Sequence, residues 1–309
     1  MFRVSFISTG TTATQTPVMA SISYEIVKKW IKEEQEKPPD FPVACIFDFS
    51  NMYSTLLFFA SDKILMRMGE MTSLIEEMKS STKPDWSKCS FPSKFVHKST
   101  NEPLFFMIPL FPRGMTSSLS KTETFELTKI IWEISQTIEK AGASYIFFDL
   151  PVIESIERNY LIIPALLNSN IIIGVVDCKK TKYQEISKEI ENLLSFVSEY
   201  NMIATPKLAL NGVIFNQISE KVLSSKWLER VTEEFSLKVY GKISEDKQFF
   251  KVTSQYQIPT IDSLFSEMKC ARDFQSTAEV IVDDLKESDT IRQVTESQQE
   301  YLKDRIYSF

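Results

Sequence analysis

Seven apolar runs of strand length punctuate the chain: "FRVSFIS", "VACIFDF", "LFFMIPL", "SYIFFDL", "NIIIGVVD", "LALNGVIFN" and "KVYGKI". Unbroken apolar stretches of this size suit strands buried on both faces, as in parallel sheets. Between them lie longer segments whose apolar residues recur at three and four spacings. These predict helices over residues 17–36, 62–79, 122–141, 155–168, 181–200 and 220–235. In "TFELTKIIWEISQTIEKAG" the stripe is regular and Gly142 closes it. Strands and helices alternate at crossover lengths, so the expected fold class is α/β, a doubly wound, mainly parallel sheet flanked by helices.

Two stretches break the rhythm. Residues 80–103, "SSTKPDWSKCSFPSKFVHKSTNEP", are rich in Ser, Lys and Pro and read as a surface excursion before the next strand. Residues 273–309 form a polar, acidic extension with apolar residues at Ile281, Leu285, Ile291, Val294, Leu302 and Ile306. One or two amphipathic helices are expected there, docked on the body or held out for a partner. The domain reading is therefore an α/β body over 1–272 and a helical C-terminal extension over 273–309.

Composition narrows the class further. With 309 residues and 43% hydrophobic content, the chain can bury the core of one large domain. No basic, apolar leader opens the sequence, and its longest apolar runs fall far short of the roughly 20 residues that span a bilayer. A soluble, cytoplasmic protein with no membrane partner is expected. Four scattered cysteines, Cys45, Cys89, Cys178 and Cys270, and one histidine, His97, offer neither a zinc pattern nor a disulfide framework. They read as core thiols, with no metal site.

Charge is unevenly spread. Residues 273–309 hold nine Asp/Glu against four Lys/Arg, a net −5 of the chain's −6, which leaves −1 for residues 1–272. A near-neutral body does not point to DNA, although a local basic patch would suffice for phosphate contacts.

The chemistry should lie at the carboxyl ends of the strands, where doubly wound sheets collect ligands. After the first strand comes "STGTTATQTPV", a strand–loop–helix layout that taken alone is an ordinary Ser/Thr-rich turn. Further on come "CIFDFS", "LFFMIPLFPRG", "YIFFDLP", "NIIIGVVD", "GVIFNQ" and "VYGKISEDKQFFKVTSQYQIP". In this order the seven pieces, spanning about residues 2–262, resemble the ParA/MinD group of deviant-Walker P-loop ATPases. The resemblance implies a P-loop NTPase-like sheet and a site for ATP and Mg2+.

Residue by residue, the match is incomplete. Gly10 falls where the family has its signature lysine, and Gln15 where it has the P-loop lysine. Thr11, Thr12 and Thr14 stand at three glycine positions, and β-branched residues resist the backbone geometry those glycines supply. Thr16 matches the magnesium-binding hydroxyl, followed by Pro17 where the first helical turn tolerates a missing N–H. Asp48 matches the first carboxylate of the family's D-x-D segment, but Ser50 replaces the second, which orients the attacking water. Asp48 equally suits a strand-end carboxylate that caps a following turn. Asp149 matches the Walker B aspartate; with the phosphate partners altered, it is expected to hydrogen-bond Thr16 or backbone amides in place of a metal shell. Asn216 matches the strand-end asparagine that reads the adenine edge, a position where asparagine also serves as a turn former. Ser244 replaces a proline in the segment that closes over the base.

The resemblance, with these departures, implies a vestigial nucleotide site of Gly10, Thr11, Thr14, Gln15, Thr16, Asp48, Asp149 and Asn216 and no catalytic residue. The expected function is a ParA/MinD-like scaffold or regulatory partner that has lost ATP hydrolysis, in DNA segregation or intracellular positioning. Expected partners are a second copy, an active relative or a protein docking on the C-terminal extension. Cofactors are expected to be none, with ATP and Mg2+ bound only if the site still works. The alternative is an active, divergent ATPase of chromosome or plasmid partition.

Overall fold

A computed structural model of the chain describes residues 1–9, 15–33, 42–49, 54–67, 70–80, 85–111, 119–153, 162–179, 182–203, 208–223, 226–259, 267–287 and 300. All seven apolar runs form strands. β1 (Phe2–Ile7) and β2 (Ala44–Asp48) come first; a two-residue strand, β3 (Phe91–Pro92), unforeseen within the 80–103 excursion, precedes β4 (Phe105–Pro109). β5 (Tyr145–Asp149), β6 (Ile171–Asp177), β7 (Gly212–Ile218) and β8 (Val239–Ser244) complete the set. Among the described residues they build one eight-stranded sheet in the order β3-β4-β2-β5-β1-β6-β7-β8. Only β3 runs antiparallel to its neighbour.

The helices are α1 (Gln15–Glu33), α2 (Ser54–Phe59), α3 (Asp62–Leu65), α4 (Leu74–Ser80), α5 (Lys121–Lys140), α6 (Ile163–Asn168), α7 (Tyr183–Ile203), α8 (Glu220–Leu223), α9 (Trp227–Phe235), α10 (Lys247–Ser254) and α11 (Lys269–Glu287). They cover both faces of the sheet. Alternate strand residues divide accordingly: Phe6, Ile46, Phe147 and Ile173 enter the core that holds α1 and α11, while Cys45, Phe148, Ile172 and Phe215 enter the core that holds α5 and α7. Side chains of successive strand residues point to opposite faces, so a strand buried on both sides must be apolar throughout.

Local chemistry explains where helices begin and end. Ser120 and Glu123 form a reciprocal capping box at the start of α5, and Gly142, at φ 101°, ends it in the left-handed region. The helix expected over 62–79 is broken into α3 and α4. A second capping box restarts it: Ser73 N donates to Glu76 Oε2 at 2.8 Å and Glu76 N to Ser73 Oγ at 3.3 Å. The 220–235 segment likewise divides into α8 and α9, with residues 224–225 outside the described set. α10 was not expected. Asp246 caps it, accepting from Gln248 N at 2.9 Å, and its other oxygen takes Lys269 N at 3.1 Å.

α11 crosses the expected boundary at residues 272/273 without a break and packs on the body. Cys270, Phe274, Ala278, Ile281, Val282 and Leu285 are buried against β8 and α1. Polar contacts frame that face: Lys29–Asp283 at 3.0 Å, Lys286–Glu33 at 2.6 Å, Tyr240 Oη donating to Asp284 at 2.6 Å, and the Lys238–Asp284 pair. Gly241 in β8 allows the close approach, because a Cβ there would lie 1.9 Å from Thr277 Oγ1 of α11. Ile291, Val294, Leu302 and Ile306 lie outside the described residues. No helix among the described residues is long and apolar enough to cross a membrane.

Candidate functional site

The connection leaving β1 runs toward β2 on one side of the sheet, and the one leaving β6 runs toward β7 on the other. In sheets wound this way the ligand crevice lies at the carboxyl ends where the winding reverses. Register sets the side chains there. Asp48 pairs with Asp149 across β2 and β5, Phe6 with Asp149 across β1 and β5, and Asp177 with Asn216 across β6 and β7. Asp48 and Asp149 share one level, whereas the Asp177–Asn216 pair lies farther along the strands, because Asp149 aligns with Phe6 and Phe6 with Ile173.

Asp48 and Asp149 are both buried, at 0% and 1% exposure, side by side on adjacent strands. Thr55, in the first turn of α2, ties them together: its N–H donates to Asp48 Oδ2 at 3.0 Å and its hydroxyl to Asp149 Oδ2 at 2.5 Å. Leu56 N adds a longer contact to Asp48 Oδ2, at 3.4 Å. Asp48 thus acts as a cap for α2, one of the two roles its position suggested. Thr16 Oγ1 donates to Asp149 Oδ2 at 2.9 Å, the expected contact. Burial first, then the neighbouring Asp48 charge, pushes the Asp149 carboxyl up to about 7, and interactions with Thr55, Thr16 and Gln15 only partly oppose this. Two adjacent carboxylates cannot both ionise cheaply in a dry site, so the pair holds a proton up to near neutrality.

Gln15 is buried beside them at the start of α1. Its Nε2 donates inward to Phe6 O at 2.9 Å and to Leu150 O at 2.5 Å, stitching the end of β1 to the segment after β5. The amide is thereby committed to main-chain carbonyls. Ser8 O accepts from Ile153 N at 2.8 Å, and Thr9 Oγ1 reaches Glu189 O of α7 at 3.3 Å, so the start of the loop after β1 is held on both sides of the crevice.

The acceptors Asp149 Oδ1 and Gln15 Oε1 have no hydrogen-bond partner among the described residues. Open acceptors suit a proton or a cation. A triphosphate needs the reverse, a row of donors and positive charge. Among the described residues the one fully buried cation is Arg3, near the opposite end of β1, whereas Asp48, Asp149 and Asp177 are buried at this end. Among the described residues this end of the sheet therefore presents carboxylates rather than cations.

The structure brings four of the sequence-designated residues together: Gln15, Thr16, Asp48 and Asp149. Asn216 is fully buried at the end of β7, three strands from β5 and so roughly 14 Å across the sheet, and it also lies farther along the strand direction than Asp149, whose level in β7 is Gly212. Its carbonyl accepts from Cys178 N at 2.8 Å. Gly10, Thr11, Thr12, Thr14 and Ser50 lie outside the described residues. Ser244 has a use that a proline could not fill: its N–H donates to Asp273 Oδ2 of α11 at 2.8 Å. Thr55 is the residue that sequence reasoning missed. The only signal for it was a hydroxyl at the start of the apolar stretch "STLLFF", seven positions after Asp48.

The sheet order and the two helical layers are those of a P-loop NTPase-like α/β fold, and solved structures place its form as ParA/MinD-like. The MinC:MinD cell division protein complex of Aquifex aeolicus matches with a TM-score of 0.59 at 13% identity, over 92% of this chain and 96% of that one. An ATP complex of a McdA variant from Cyanothece matches with a TM-score of 0.62 at 11% identity, over 91% and 96%. A plasmid partition protein from Borrelia burgdorferi gives 0.57 at 12% identity, over 92% and 99%. No family model and no curated protein sequence matches the chain.

Proposed function

We propose that this chain is a ParA/MinD-like protein that has lost ATP hydrolysis and works as a scaffold or regulatory partner. The observation that carries this reading is Gln15. At the position of the P-loop lysine stands a neutral amide whose hydrogens are spent on Phe6 O and Leu150 O, so it offers no charge to a phosphate. Phosphoryl transfer depends on positioning and on charge stabilisation, both weakened here. On this reading Asp48, Asp149, Thr16 and Thr55 hold β2, β5, α1 and α2 together, and what the molecule offers a partner is its shape. Its partners are a second copy or an active relative, with a further protein on the C-terminal extension, in DNA segregation or intracellular positioning.

One observation favours a second reading, an active divergent ATPase: the Thr16–Asp149 hydrogen bond keeps two groups of a magnesium site in contact. Turnover assays separate the two. The purified chain is expected to release no phosphate from magnesium–ATP above background, and Gln15→Lys alone is expected not to restore turnover. Steady hydrolysis by the unaltered chain would overturn the scaffold reading.

A further inference from the structure

At the sheet edge formed by β3 lies an open cavity of about 590 Å³. Its walls come from α3 and the turn after it, the segment leading into α4, the 3₁₀ turn Trp86–Cys89, and β3. Three cations line it: Lys63, Arg67 and Lys88. Lys63 has no ion-pair partner among the described residues. Arg67 meets Glu70 through Nε alone, at 2.9 Å, and Lys88 reaches Glu77 at 3.6 Å, so both keep donors for another acceptor. Glu70 is the one carboxylate in the lining, and the cavity is net positive on a body close to neutral.

The same walls are apolar beneath the charges. Met66 is 80% exposed, a rare state for a large hydrophobic side chain here, and Met71 and Phe91 form adjacent lining. Methionine adapts its shape to varied apolar side chains, which makes it common at surfaces that receive a peptide. Strand addition is disfavoured as the mode of attachment, because the edge strand has only two residues and one of them is Pro92. What remains is a basic cavity with an apolar floor.

We propose that this cavity docks an acidic segment of a partner protein, whose Asp and Glu side chains meet Lys63, Arg67 and Lys88 while one apolar side chain seats on Met66, Met71 and Phe91. Charge complementarity argues for this occupant, since the cations outnumber the lining carboxylate and lie around a place for an apolar anchor. The inference is independent of the fate of ATP at the crevice.

The test uses the full chain and an array of labelled peptides of about ten residues, each rich in Asp and Glu around a central Leu, Ile, Met or Phe. Acidic members are expected to bind more tightly than Lys-substituted controls, and to weaken as salt rises. The doubly substituted K63E/R67E chain is expected to lose about tenfold or more in affinity, and Met66→Asp to lose binding as well. All three positions are exposed, so circular dichroism should show an unchanged fold. Equal binding of acidic and control peptides, or full affinity in K63E/R67E, would overturn the proposal. So would a preference for single-stranded oligonucleotide or for anionic phosphatidylserine vesicles that depends on these same residues.

Discussion

Thr55 joins two carboxylates that the sequence places a hundred residues apart, while burial and the mutual charge of the pair raise the Asp149 carboxyl. The native chain holds a proton on Asp149 up to about pH 7, whereas an ordinary carboxylate has released it near 3.8. The folded state therefore binds more protons than the unfolded state across that window, and stability declines as pH rises from about 4 to about 7 before levelling off. Asp149→Asn keeps an oxygen for Thr16 and Thr55 and carries no charge. It is expected to flatten this decline and to stabilise the protein at pH 8 by roughly 1–3 kcal/mol, read from urea unfolding across pH. Arg3 is the counterpart near the other end of β1. It is stacked 4.8 Å from the Trp132 ring centroid, with Nε and Nη1 unpartnered among the described residues and its pKa lowered to about 10 by burial, against an opposing pull from Glu139. Removing a buried charge that lacks hydrogen bonds relieves its desolvation cost, so Arg3→Met is expected to raise Tm despite the lost stacking.

At the scale of elements, β8 and α11 act as one unit, and three residues show why. Gly241 lets the helix approach, Thr277 fills the space, and Asp273 takes the Ser244 N–H. Gly241→Ala is expected to cost about 1–3 kcal/mol, because the added methyl collides with Thr277 and either the helix or the strand must shift. Combining it with Thr277→Ser, which removes the methyl but keeps the hydroxyl, should recover only part of that loss, since Oγ1 is the nearer atom. Ser244→Pro restores the residue of the resembled family yet removes a donor in use, leaving Asp273 short of a partner. A stability loss of about 1–3 kcal/mol is expected, read as a lower urea midpoint. The pairing also places the beginning of the acidic stretch inside the folded body, where its Asp residues engage Lys29, Lys238 and Tyr240.

For the whole molecule, the doubly wound sheet presents carboxylates at its crevice and cations at its β3 edge. A ligand that binds only the native state stabilises it by an amount that grows with the logarithm of its concentration once above Kd, and Tm rises accordingly. Magnesium–ATP at about 1 mM is expected to leave the melting temperature unchanged, and a shift that grows with nucleotide concentration would argue for a working site. The body, with a net charge of −1, is also expected to show no salt-dependent retention on duplex DNA near physiological ionic strength.

The sheet was legible in the sequence because a strand covered on both faces has to be apolar along its whole length, and the seven runs from "FRVSFIS" to "KVYGKI" carry that signature locally. Thr16 beside Asp149 was also legible, from the ordered resemblance. The split of 62–79 was missed because the apolar spacing continues across it, while the Ser73–Glu76 box that restarts the helix is a short polar signal inside a longer stripe. Thr55 and the inward turn of Gln15 were not legible at all. Their partners, Asp48, Asp149, Phe6 O and Leu150 O, come from three different strand ends, and only the order in which parallel strands assemble brings them within hydrogen-bond reach. Sequence alone determined which segments had to be buried; the tertiary structure decided which polar groups, once buried, would have to satisfy one another.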